Sequence, residues 1–160
     1  MSIKTESDMF ERELQKLYHA EVEILDLNGD LSEAAASEEI SELFADHRKD
    51  TVTQIDRIEE IFETVDRPQK ERGSPIMEGL LAEKDEFVSE VEDGDLRDLD
   101  VIGVGTINER IEITLLDRLI LLAESLDLPA SVVERLEQNR SEAEAALRKM
   151  QGYLDEKRRS

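Results

Sequence analysis

The stretch GTINERIEITLLDRLILLAESL, residues 105–126, decides the fold. Read as a helix, it carries Gly105, Asn108, Glu112, Leu115, Leu119, Leu122 and Leu126 on one stripe, apolar over its second half and acidic over its first. Glu109 stands three residues before Glu112, so both carboxylates project from the same side of a helix whose lower part must be buried. An ionised carboxylate withdrawn from water is costly unless a cation compensates it. The organisation of the chain therefore turns on which other polar groups arrive at that level.

The 160 residues hold 41 acidic against 20 basic side chains, a formal net charge of -21. That imbalance argues against nucleic acid or an anionic membrane as partner. Thirteen arginines against seven lysines, in a surface dominated by Glu and Asp, suit a cytoplasm of very high salt. At molar ionic strength the Debye length shrinks to about 3 Å and self-repulsion is screened. With no cysteine, disulfides, thiolate metal sites and a cysteine nucleophile are all excluded. Any metal site must use carboxylates and the two histidines. The polar opening MSIKTESDMF is unlike a signal peptide, and no run reaches the roughly 18 apolar residues of a spanning helix, so a soluble cytoplasmic protein is expected.

Three prolines, seven glycines and recurrent three- and four-residue apolar spacing predict an all-α chain of one domain over residues 1–160. Residues 1–7 are read as a flexible arm. A first helix buries Phe10, Leu14, Leu17, Glu21, Ile24 and Leu25, with Glu21 interrupting an apolar face. A break near Ser37 is favoured over one at Asn28-Gly29. The second helix, about Glu38 to Val65, turns His47, Thr51 and Gln54 inward and is polar in the middle where its ends are not. Equal rise per residue then sets Glu21 opposite His47, Asp50 and Gln54. Residues 66–100 are read as a crossover, with a short helix around residues 76–88 and an acidic loop, EDGDLRDLD, over 92–100. A last helix follows Pro129, with Ser131 as its N-cap, and folds back to bring Glu142 and Glu144 within a turn of the level of Glu112. Two antiparallel hairpins joined by one long crossover define a ferritin-like antiparallel four-helix bundle.

Di-iron centres of such bundles take one Glu from each of two helices and a Glu-x-x-His pair from each of the others. Here Glu21, His47, Asp50, Glu109, Glu112, Glu142 and Glu144 supply part of that set. Glu-x-x-His itself is missing. Helix two offers the reversed His47-x-x-Asp50, and helix four has no histidine. Spacing leaves two readings open: a metal centre, or buried carboxylates satisfied by arginine, with a Glu112–Arg140 pair and Arg57 as candidates.

The segments FERELQKLYHAE (10–21), FADHRKDTVTQIDRIEEIF (44–62), MEGLLAE (77–83) and ERIEITL (109–115) resemble the YciE/YciF family of ferritin-like proteins. The similarity runs in order along nearly the whole chain. It implies a ferritin-like bundle, usually dimeric, with ferroxidase-type iron chemistry and a link to stress responses. Carried over position by position, the resemblance puts metal ligands at Glu21, His47, Asp50, Glu83, Glu109, Glu112 and Glu142. Three departures stand out: Asp50 where Glu is common, Arg110-Ile111 within the Glu-His-Tyr-Glu pattern, and Ala143 in place of an acid. The expectation is a homodimer whose iron site is di-iron, mononuclear or degenerate, the alternative being a metal-free structural dimer.

Overall fold

A computed structural model describes residues 2–160. It contains five helices: α1 (Glu6–Ala34), α2 (Glu38–Val65), α3 (Pro75–Glu90), α4 (Gly94–Ser125) and α5 (Ala130–Arg159). There is no strand among the described residues. The helices α1 and α2 form one hairpin and α4 and α5 the other; α1 packs on α4 and α2 on α5, closing a four-membered ring. Contacts between Glu6 and Ser125, Glu13 and Arg118, and Ala36 and Asp98 make α1 antiparallel to α4. This is the antiparallel bundle with a long crossover, and α3 lies in that crossover against α1 and α4.

The helix starts follow local chemistry. Thr5 accepts from the Asp8 amide and Ser37 from the Ile40 amide, so α1 begins at Glu6 and the first hairpin turns where the sequence places it. Asp98 reinforces that turn by accepting from the backbone N–H of Ala36 at 2.7 Å and of Ser37 at 3.1 Å. Three expected boundaries move, the first being the arm read over residues 1–7, whose Glu6 and Ser7 already belong to α1 because Thr5 caps it. The helix α4 starts at Gly94, inside the segment read as an acidic loop, because Asp93 caps the Leu96 amide and Leu96, Leu99 and Arg97 continue a helical run. At α5 the residue before the helix is Pro129, with no side-chain cap, and Ser131 lies within the first turn. Proline preset in φ suffices to start the helix there.

The buried stripe of α4 reads Gly105, Asn108, Glu109, Glu112, Leu116, Leu119 and Ala123. It drifts by one position from the expected stripe because the 3.6-residue repeat outruns seven-residue steps, leaving Leu115 and Leu122 half-buried. Glycine at 105 is needed for close approach: an added Cβ would stand 2.5 Å from the Phe44 ring. The apolar interior is divided in two. One cluster contains Phe10, Leu14, Leu17, Ile58, Leu116 and Leu136, and the other Ile24, Leu27, Phe44, Val101, Val104 and Met150. Between them every long helix contributes polar residues, among them Glu21, His47, Gln54, Asn108, Glu109, Glu112 and Asn139.

Candidate metal centre

That polar layer holds the candidate site. His47 from α2 and Glu109 and Glu112 from α4 each present one donor atom, and these atoms lie within 4.8 Å of one another. His47 is 5 % exposed, Glu109 0 %, Glu112 2 % and Glu21 2 %. The His47 ring Nε2 is in direct contact with Glu109 Oε1. Asn108, one turn before Glu112, donates from Nδ2 to its Oε2 at 3.2 Å. Glu21 reaches across from α1 to stand beside the Glu112 carboxyl. Helical geometry explains the convergence: residues 108, 109 and 112 occupy one face of α4, and that face is aimed at the axis by the apolar residues above and below it.

Electrostatics in this layer are unusual. Burial holds Glu21 and Glu112 well above the ordinary carboxylate range, and the neighbouring acids, Glu112 for Glu21 and Glu109 for Glu112, push each further. Burial raises Glu109 to about 8. Burial lowers His47, against the pull of Glu21, Asp50 and Glu142. Among the described residues no lysine or arginine forms an ion pair with Glu21, Glu109 or Glu112. Glu21 Oε2, Glu109 Oε2 and Asn108 Oδ1 are buried without a hydrogen-bond partner. Unpartnered buried oxygens of this kind are uncommon and call for a specific cause.

The remaining expected ligands lie elsewhere. Asp50 is exposed on α2 and Glu83 is exposed on α3. Glu142 is half-exposed and accepts from Arg57 Nη1 at 2.9 Å and Gln54 Nε2 at 3.1 Å. The anticipated Glu112–Arg140 pair does not form, because Arg140 turns outward to Asp117 and Glu144. Sequence reading did not single out Asn108 or Asn139 as site residues. Asn139 bridges the Gln54 carbonyl and Arg57, bracing the α2–α5 side. The signal was present in the helical spacing of Asn139 from Leu136 and Ala143, both buried.

A four-helix bundle with a long crossover and a buried layer of one imidazole and three carboxylates defines a protein of the ferritin-like type. The comparisons carry this to a family. Residues 5–160 match the family described as a domain of unknown function (DUF892), and the chain belongs to it. It is 32 % identical over 127 residues to Protein YciF of Escherichia coli (strain K12), covering 79 % of this chain and 76 % of that protein. Two solved structures superpose closely. One is YcfI, a putative structural protein from Rhodopseudomonas palustris, at a TM-score of 0.90 and 27 % identity over 94 % of this chain and 95 % of that one. The other is the E. coli stress protein YciF, at 0.89 and 28 % identity over 94 % and 95 %. No helix among the described residues is long and apolar enough to cross a membrane.

Proposed function

We propose that the chain binds a divalent transition metal, iron by preference, in the layer formed by Glu21, His47, Glu109 and Glu112, and oxidises Fe(II) with dioxygen. The observation that carries the reading is the fit of these residues to a cation: three carboxylates and an imidazole, buried together, with two carboxylate oxygens unpartnered and, among the described residues, no lysine or arginine paired with them. Hard oxygen donors with imidazole suit iron. Glu109 and Glu112 would hold the metal from α4, His47 from α2 and Glu21 from α1. Bound iron would supply the redox chemistry. The protein's own part is to hold the four donors in register between two apolar clusters and to exclude bulk water from them. Asn108 fixes one Glu112 oxygen and leaves the other oxygen available. The Glu109 contact fixes the orientation of the His47 ring. A stress-associated role follows from the likeness to YciF.

A second reading, a metal-free structural protein, is favoured by the Arg57–Glu142 pair, which occupies a carboxylate that a second metal would need. For either reading we propose a homodimer formed through the outward face of α4, where Ile107 is 50 % exposed and Leu121 67 %. Sedimentation in molar salt giving a monomer would remove that part.

Anaerobic Fe(II) titration followed by exposure to air tests the function. Saturable binding with an oxygen-dependent ultraviolet band is expected from the native chain, and its loss in Glu112→Ala. No binding, with oxidation at the buffer rate, would leave the structural reading.

A further inference from the structure

A cleft of about 130 Å³ opens between α2 and α5 and ends at His47. We propose that it is the route by which the cation reaches the buried layer, with Asp50 at its mouth serving in transit rather than as a ligand. This rests on the metal-centre reading. Three features of the cleft carry it. His47 lines it, whereas Glu21, Glu109 and Glu112 do not, so a cation arriving this way meets the imidazole first and the carboxylate bonded to it next. The space exists because α5 presents Ala145 and Ala146 there, too small to fill the gap opposite α2. Of the acids at the mouth, Asp46 pairs with Lys49 and Glu142 with Arg57, which leaves Asp50, facing Lys149 across the cleft, as the one that forms no ion pair among the described residues. The apolar clusters close the layer above and below, and between α1 and α2 Asn28 bonds Thr51, which in turn bonds the His47 carbonyl.

An uncompensated carboxylate such as Asp50, beside a low-dielectric wall, attracts cations and speeds their entry. This also explains why Asp50, exposed and one turn from His47, acts on that ring electrostatically without belonging to the buried cluster.

The test uses Co(II) alone as the probe, in the full chain, by stopped-flow visible absorbance for loading and by removal with excess chelator for release. In Asp50→Asn we expect loading slowed at least about threefold, with the dissociation constant changed by less than that factor. Lys149→Gln should load faster than the native chain. Ala145→Phe, which fills the mouth, should slow loading and release together. Glu124→Gln, an exposed charge change at the far end of α4, controls for net charge. Loading rates equal to native in both Asp50→Asn and Ala145→Phe would overturn the route and leave the metal centre standing. An affinity loss in Asp50→Asn larger than its rate loss would make Asp50 a ligand and overturn its transit role. Failure of the native chain to bind Co(II) would overturn the metal centre and the route with it.

Discussion

Replacing Glu109 by Gln should make the metal-free protein more stable, and the gain should grow with pH. A carboxyl titrating near 4.3 in the unfolded chain is raised to about 8 in the fold by burial. The folded state therefore binds this proton more tightly than the unfolded one. The group costs nothing below the unfolded value, and stability falls as pH rises from there through about 8. At roughly 1.4 kcal/mol per unit, the accumulated cost near pH 8 is on the order of 4 kcal/mol, a large share of the 5–15 kcal/mol that holds a typical domain. His47 works in the opposite sense, since burial lowers it and its contribution is lost as pH falls below its ordinary value near 6.5. Between pH 6.5 and 8 the carboxyl acts alone of these two. There Glu109 should remove about 1.5 kcal/mol from the chelator-treated native protein. Guanidinium denaturation in molar KCl, followed by far-ultraviolet circular dichroism at both pH values, separates the variant from the native chain while screening general repulsion. A native stability that does not fall over this interval, or a Gln variant no more stable at pH 8, would refute the electrostatic account of the layer.

The substitution Glu112→Gln should likewise stabilise the metal-free chain yet weaken Co(II) binding at least about tenfold, read by calorimetry, a trade that a purely structural carboxylate would not show. Gly105→Ala drives a Cβ to 2.7 Å or less from two Phe44 ring atoms. The overpacking cost of roughly 1–3 kcal/mol should exceed the helix-propensity gain of about 1 kcal/mol, giving a lower denaturation midpoint. Asp98→Ala strips two backbone amides at the start of α2 of their acceptor and should lower the melting temperature by an amount equivalent to about 1 kcal/mol, with Asp98→Asn recovering part of it.

Much of this fold is legible in the sequence because helical periodicity is a local property. Ser37 marks the first turn, and Glu21, His47, Gln54 and Glu112 interrupt apolar stripes at matching heights. What periodicity does not carry is the rotation of each helix about its own axis to within a fraction of a turn. Asp50 is three residues from His47 and so near its face, yet its side chain is in solvent. Glu142 falls at the right level but on the edge of α5, where Arg57 reaches it first. The direction of Arg140 was equally unreadable, because a long side chain reaches surface acids one turn away, as at Glu144, or on the neighbouring helix, as at Asp117, as readily as it reaches the core. Glu83 entered only through the family resemblance, and α3 turns it outward as it turns Met77, Leu80 and Phe87 in.

One buried layer of four donors, on this reading, binds a metal ion. Anomalous diffraction from crystals soaked in Co(II) or Fe(II) tests it most directly. A peak within bonding distance of His47, Glu109 and Glu112 is expected. An empty layer, with peaks confined to surface carboxylates, would contradict it.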